Sequence, residues 1–465
     1  MYTSCIRKCV LLFGILICLQ LKQANAQQGT YYTLLQLIDT AQNHLPVLFQ
    51  KQALISSAKA NVVDVRHSFL PQLKVNDQLN LGTDNSIAGS YLPVGVTPSS
   101  SAGVRGSNDN QAASGNIAVL YSEYELMNFG LRDARIKNAE AYVSLQQADY
   151  QKELYYLKTE ISRLYFTLLK NQFRLSADKE NVTRYENIFT IIHALTGSGI
   201  TAGVDSSLAK AELAKTRISY NQSLGNINQV KQQLSYLTGI DASRINVDTT
   251  RGNYLFNNSL LNNMVNDTVN NPLIDYYSKT KNVYLSNEKL VAKSYLPKIL
   301  LAGSTWARGS SIQYNDDYKA LTEGIGYQRF NYMAGIAVTY DLFNGIHRRD
   351  KLATSRLQTQ ASDYLLQQQK LALASANLQA DNTIQVTEAN LQQIPIQLTA
   401  ATDAFEQKVA QYKAGIISLI DLTNASFVLY RSQTDYIETL SDWYLAKLDK
   451  AAATNNLDLF IQTIK

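Results

Sequence analysis

Residues that could bind a metal or attack a substrate are few and scattered in this chain. The four histidines, at positions 44, 67, 193 and 347, show no spacing such as H-E-x-x-H, which places two ligands on one helix face. Gly197-Ser198-Gly199 lacks the preceding strand and the following Lys-Ser/Thr of a phosphate-binding loop. The sequence therefore predicts no catalytic residue, no metal site and no cofactor.

Two aspartates each follow a glycine by six residues: Gly199 with Asp205, and Gly415 with Asp421. Ser418 and Asp421 also fit the S-x-x-[DE] capping box, in which the carboxylate satisfies the first turn of a helix. Ala202 stands where the second copy has Ser418, so Asp205 has no such box. For Asp421 the alternative to a functional role is capping, and for Asp205 it is an ordinary solvated helix charge.

These aspartates belong to a pattern that occurs twice in the same order. The other recurring motifs are Ser68-Phe69-Leu70-Pro71 with Ser294-Tyr295-Leu296-Pro297, and Tyr124–Gly130 with the shorter Tyr340–Gly345. A period of about 200 residues is too long for a solenoid and indicates two tandem copies of one unit. We predict a first repeat over residues 27–250 and a second over 251–465.

Alternating polarity predicts two strands in each repeat: about 72–82 and 116–126, then about 298–307 and 330–342. Each has about 10 residues, the length that a tilted strand needs to cross a bilayer. Polar stretches rich in Gly, Ser and Asn separate the paired strands over 83–115 and 308–329. We expect long loops there, as in outer-membrane barrels; a disordered loop on a soluble β-domain is the alternative.

Helices are expected before and after each strand pair. Residues 31–67 and 259–293 precede the strands, and long hairpins of helices follow them over 131–237 and 346–461. The first helix of each hairpin would span about 100 Å, which suggests a coiled coil or a tube. Pro395 should kink the second of these helices. The broad apolar stripe of the return helix 419–448 predicts contacts with two neighbouring helices.

The N-terminus predicts export from the cytoplasm. Arg7 and Lys8 precede an apolar run, Val10–Leu21, and the small-residue site Ala24-Asn25-Ala26, which together are typical of a signal peptide over 1–26. A retained anchor is the alternative, although the run is shorter than the roughly 18–20 residues of a membrane-spanning helix. Removal of this segment would take all three cysteines with it: Cys5, Cys9 and Cys18.

The composition further limits the class of protein to which the chain can belong. The net charge of +5 falls to +2 once Arg7, Lys8 and Lys22 leave with the signal, which argues against a nucleic-acid partner. Charged residues make up 17%, below the roughly 25% of soluble domains, and the 29 tyrosines suit membrane interfaces. Four strands cannot close a barrel in lipid, where open edges are not tolerated, so several chains must share one barrel.

The tandem repeat, the strand–glycine–helix junctions at Gly130 and Gly345, and the Gly-Ile…Asp hairpins resemble the TolC family of outer-membrane efflux channels over Gln27–Lys465. The resemblance implies a homotrimer with a 12-stranded transmembrane β-barrel, four strands from each chain, above a long α-helical barrel. It also implies the outer membrane of a Gram-negative bacterium, surrounding lipid, a periplasmic adaptor and an inner-membrane pump. Such a channel is a passive duct for drugs, small molecules or secreted proteins.

The resemblance also implies site residues. The periplasmic tip and pore constriction would carry five positions: Gly199, Asp205, Gly415, Asp421 and Asn424. Three tyrosines would lie at the membrane interface: Tyr124, Tyr332 and Tyr340. Two departures put the family's arginine lock and double acidic ring in doubt, because Ile417 replaces an arginine and Asn424 replaces a second aspartate.

A trimeric coiled-coil adhesin or structural protein on a β-barrel anchor is the alternative function. An adhesin need not duplicate its strand pairs, whereas here they occur twice, between helices. The cargo, the cognate adaptor and the class of pump stay open on the sequence alone.

Overall fold

The computed structural model describes residues 31–87, 104, 106–200, 202–249 and 270–464. The predicted signal peptide, the boundary between the repeats near residue 250, residues 259–269 of a predicted helix and most of the first polar loop lie outside these ranges. The chain divides into two compact units. We call them the helical unit (Met1–Ala53, Gln147–Ser278 and Leu365–Lys465) and the sheet unit (Leu54–Gln146 and Lys279–Tyr364).

The described α-helices are α1 (Leu34–His44), α2 (Pro46–His67), α3 (Leu131–Gly197), α4 (Gly203–Thr238), α5 (Pro272–Ser294), α6 (Asn344–Lys413), α7 (Leu419–Ala453) and α8 (Leu457–Thr463). The described strands are β1 (Gln72–Gly82), β2 (Ala113–Met127), β3 (Lys298–Ser310), β4 (Ile312–Gln313), β5 (Asp317–Tyr318) and β6 (Arg329–Thr339). Short 3-10 helices cover Ala242–Arg244, Tyr314–Asp316 and Leu321–Ile325.

The stretch 31–67, predicted to be helical, contains two helices, because the structure breaks it between α1 and α2. Leu45 is extended, with φ −74° and ψ 117°, and Pro46 opens the next helix. Proline disfavours helical backbone in the residue before it and is well tolerated at a first helical position. A capping box of Thr33 and Gln36 starts α1, so each of the two short helices has its own local start signal.

The long helices are α3, with 67 residues, and α6, with 70. The helical assignment of α6 continues through Pro395 without a break. Along α6 a buried seam recurs every seven residues: Leu366, Leu373, Ala380, Thr387, Ile394 and Ala401. A strict seven-residue repeat keeps one stripe against a partner helix only if the helices supercoil, so this seam is of the coiled-coil kind.

Helix α7 contacts both α3 and α6, as its broad apolar stripe predicts. Its Tyr444 stacks on Phe166 of α3, with ring centroids 5.1 Å apart, in a core that also contains the buried Trp443. Toward α6, Trp443 donates its indole N–H to Glu388 at 3.0 Å. Since α3 and α6 each bury part of α7, that helix is packed between two neighbouring helices.

The sheet unit contains one antiparallel sheet in the order β1-β2-β3-β6, so β1 and β6 are its edges. Directly opposite residues share a face, and the register aligns Leu120 with Val75 on one side and with Thr305 on the other. We call this the apolar face; its exposed large side chains are Leu73, Val75, Leu79, Leu81, Leu120, Leu301, Phe330, Tyr332, Ile336 and Val338. The polar face carries alternate residues of β1: Gln72, Lys74, Asn76, Gln78 and Asn80.

The loop predicted over 308–329 starts later than expected and contains short ordered elements. Strand β3 continues to Ser310, the β4–β5 hairpin follows, and the segment Leu321–Ile325 lies on the apolar face. There Asn116 donates its side-chain amide to the Ile325 carbonyl at 2.8 Å. A Cβ added to Gly309 would lie 1.8 Å from the Gly326 carbonyl oxygen. The glycine and serine content that suggested an open loop instead permits close packing of backbone on the sheet.

Candidate functional site

Both long helices end in the same backbone turn. At the end of α3, Ile200 N–H donates to the Leu195 carbonyl at 3.0 Å and Gly199 N–H donates to the Thr196 carbonyl at 3.1 Å. At the end of α6, Ile416 and Gly415 repeat these bonds, and Gly199 and Gly415 both have φ +71°. This is the Schellman motif, which requires a left-handed residue and therefore favours glycine.

One apolar cluster joins the two turns within the helical unit. Its buried members come from both hairpins: Tyr185, Ile188, Ile192, Ala209, Leu213, Tyr412, Leu419 and Leu422. Ile417 is partly buried against the same cluster. The structure thus brings the two glycine–aspartate turns together, and Ile417 contributes to the packing between them.

Asp421 caps α7 in the predicted box. Its carboxylate accepts from the Ser418 backbone N–H at 3.2 Å and from the Ser418 hydroxyl at 2.7 Å, while Asp421 N–H donates to that hydroxyl at 3.3 Å. The hydroxyl bond, with the backbone bond after it, lowers the pKa of Asp421 below its ordinary value. The side chain is nevertheless exposed, so the capping geometry leaves the carboxylate in contact with solvent.

Asp205 lies in the first turn of α4 without a cap, since Ala202 offers no side-chain acceptor. Its charge acts on Tyr412, which belongs to the other turn and is 6% exposed. Burial, followed by the Asp205 charge, raises the pKa of the Tyr412 hydroxyl, which has no hydrogen-bond partner in the described part of the chain. Sequence reasoning missed Tyr412; its place three residues before Gly415 was the available signal.

Asn424 is exposed on α7, about one turn after Asp421. It therefore shares a helix face with that carboxylate, as residues three apart do.

The two strand-to-helix glycines are not equivalent. Gly130 has φ +88° and follows Phe129 at φ +50°, so the first junction turns through two consecutive left-handed residues. Gly345 lies inside the first turn of α6 and needs no left-handed backbone. There, Phe343 N–H donates to the Asp341 side chain at 2.9 Å. This aspartate-stabilised turn connects β6 to α6 with one residue fewer than the first junction uses.

The three predicted interface tyrosines fall at two levels of the sheet unit. Tyr124 pairs with Leu301 near the end of the sheet that joins the helices, and Tyr340 follows β6 at that same end. Tyr332 lies opposite Thr305, well inside β6. It is therefore away from the strand ends where an interface girdle would lie.

Over the described ranges, no cluster of three or more histidine, cysteine or acidic residues could hold a metal ion. Over the same ranges, no helix combines the length and the apolar character needed to cross a membrane.

We expect the left-handed glycines to be required for stability. Gly199→Ala and Gly415→Ala should each cost about 1–2 kcal/mol, because a Cβ is strained in left-handed backbone. Gly197→Ala is the matched control, since Gly197 has an ordinary φ and open space around it. Thermal unfolding followed by circular dichroism measures the stability of the three variants. An equal loss of stability in Gly197→Ala would contradict the assignment.

The lowered pKa of Asp421 predicts a pH-dependent contribution to stability. A depressed folded pKa stabilises above the unfolded value and loses that contribution as pH falls through the folded one. The thermal midpoint of wild type should therefore exceed that of Asp421→Asn at pH 7, and the difference should shrink as pH falls below 3.8. A difference that stays constant from pH 7 to pH 3 would rule out the carboxylate cap as its cause.

The sequence matches the outer membrane efflux protein family over residues 37–240 and 270–455. Similar solved structures include the outer-membrane channel OprN (17% identity, TM-score 0.72, 91% of this chain and 90% of that chain). They also include VceC of Vibrio cholerae (15% identity, TM-score 0.72, 90% of this chain and 95% of that chain). A third is the outer-membrane channel CmeC of Campylobacter jejuni (13% identity, TM-score 0.71, 93% of this chain and 90% of that chain). No curated protein matches the sequence.

At these identities the structures show a shared fold. Because the family match spans most of the chain, this protein belongs to the outer membrane efflux protein family, whose members are passive channels and not enzymes.

Proposed function

We propose that the chain is one subunit of a homotrimeric duct that crosses the outer membrane of a Gram-negative bacterium and extends into the periplasm. The observation that carries this proposal is the four-stranded sheet with two free edges and one exposed apolar face. In the duct, the apolar face contacts outer-membrane lipid and the polar face lines the lumen. The adhesin alternative gains no support from strand pairs that return twice to helices at the same end.

The edges of the sheet explain why copies must associate. In the described residues β1 and β6 each pair on one side only, and every residue along both strands is exposed. Unpaired backbone groups in hydrocarbon cost several kcal/mol each, so β1 of one copy must pair with β6 of the next. Three copies then give the 12-stranded barrel that the resemblance to the TolC family implies.

The exposed side of α6, opposite its buried seam, supports the same assembly. Large apolar residues recur there every seven residues and are 59% to 72% exposed: Leu357, Tyr364, Leu371 and Leu378. They are two residues out of step with the buried seam, and two residues rotate a helix by about 200°. Helix α6 is therefore apolar on opposite sides, which suits a wall whose helices touch a neighbour on each side.

The paired turns are proposed to form the periplasmic tip. Repeated by the trimer, Asp205 and Asp421 would form acidic rings that attract cations, with Asn424 in the same constriction. Ile200 and Ile416 occupy matching positions in the two turns and are 70% and 72% exposed, so they offer an apolar contact for a periplasmic adaptor. The adaptor would link the duct to an inner-membrane pump that exports drugs, small molecules or proteins.

The trimer assignment predicts the effect of a charge on the outer stripe of α6. Leu371→Glu with Leu378→Glu should convert the trimer to a monomer, because the new charges would be buried without partners. Ala372→Glu is the matched control, about 100° away around the helix and also exposed. Native mass in mild detergent distinguishes them; a trimeric double variant would contradict this interface, and a monomeric wild type would contradict the shared barrel.

The tip assignment predicts cation block at the acidic rings. Asp421→Asn and Asp205→Asn should each weaken block of single-channel current by divalent cations at least about twofold, since each removes three charges from the pore. Ser418→Ala removes the cap but keeps the carboxylate, so its block should match wild type. Weaker block in Ser418→Ala with unchanged block in Asp421→Asn would assign the aspartate to capping alone.

A further inference from the structure

The outer end of the sheet carries two arginines side by side on the polar face. Arg308 lies directly opposite Arg329 in the register of β3 and β6. Arg308 also lies opposite Ile117, whose partner on the other side is Gln78 of the polar face. This end is remote from the helices, because the chain enters and leaves them at the other end of every strand of the sheet.

Among the described residues, no carboxylate forms an ion pair with either arginine. Neither guanidinium is within 4.0 Å of an acidic side chain among the described residues, and Arg329 donates to the Gln328 backbone carbonyl at 3.1 Å. The nearest acidic residue on the polar face of β2, Glu123, is six residues from Ile117, or about 20 Å along the strand. That distance exceeds the Debye length of about 8 Å at physiological salt.

In the described part of the adjoining segments, acidic side chains, including Glu323 six residues before Arg329, make no ion pair with these arginines. Asp317 pairs with Lys319 at 2.5 Å, and Asp109 accepts from the Gln111 N–H at 2.8 Å. The sequence from 88 to 105 contains no Asp or Glu. Like charges directly opposite each other destabilise a sheet, so this arrangement works against the fold unless an anion offsets it.

We propose that Arg308 and Arg329 form an anion-attracting ring at the outer mouth of the duct. The inference rests on the proposed trimer, in which the polar face lines the lumen and three copies place six guanidinium groups around it. A guanidinium presents paired donors that match carboxylate, phosphate and sulfate oxygens. The ring favours release of solutes carrying such groups, which cross an acidic entrance at the tip and then meet a basic exit.

Planar-bilayer recordings of the full-length trimer test this proposal, with inorganic tripolyphosphate as the probe. Arg308→Gln with Arg329→Gln should lower the anion-to-cation permeability ratio at least about twofold and raise the blocking concentration of tripolyphosphate by a similar or larger factor. Arg308→Lys with Arg329→Lys should keep the wild-type permeability ratio. Each variant is also recorded with Asp205→Asn and Asp421→Asn, so that the acidic tip cannot mask the effect.

Lys319→Gln is the matched control, because it removes a positive charge from the segment between β3 and β6, outside the strands that form the polar face. It should leave both readouts at wild-type values. An unchanged permeability ratio and unchanged block in the double glutamine variant would overturn the ring, as would an equal shift in Lys319→Gln. A wild-type protein without conductance would instead refute the proposed duct.

Discussion

Backbone hydrogen bonding at the sheet edges is the constraint on which the rest of this architecture depends. Each of β1 and β6 has one row of N–H and C=O groups without a partner in the described chain, and a lipid environment supplies none. Soluble sheets protect such edges with charges, prolines or short strands, yet these edge strands have 11 residues each and no proline. In the proposed trimer these edges pair between copies, and the exposed apolar stripe of α6 suits the same assembly.

The two predicted repeats are alike at the turns of their helical hairpins but differ where the second strand-to-helix motif is one residue shorter. The turns at Gly199 and Gly415 are the same Schellman motif. The strand-to-helix junctions differ: the first uses left-handed Phe129 and Gly130, whereas the second uses an aspartate-stabilised turn before α6. The two predicted repeats therefore share backbone geometry at the turns and differ in it at the junctions.

The spacing of apolar residues and the local residues that begin or end helices made much of the fold predictable from the sequence. The strand expected over 72–82 lies at Gln72–Gly82, and the helix expected from Leu131 to about Ser198 ends at Gly197. The break at Pro46 was readable but overlooked. The packing of Leu321–Ile325 on the sheet could not be read, because it depends on contacts with Ser114 and Asn116, about 200 residues earlier. The capping box of Asp421 follows from local sequence, whereas the burial of Tyr412 follows from the meeting of two hairpins.

The segment Leu321–Ile325 also fixes how much bilayer the proposed duct can accept. Its carbonyls accept hydrogen bonds from Ser114 and Asn116, two polar side chains at the outer end of the apolar face. Below that level the apolar side chains of β6 run from Phe330 to Val338, about 27 Å along the strand and about 20 Å after a tilt near 40°. In the proposed duct this apolar band sets the hydrophobic thickness, and about 20 Å suits a membrane thinner than average, as the bacterial outer membrane is.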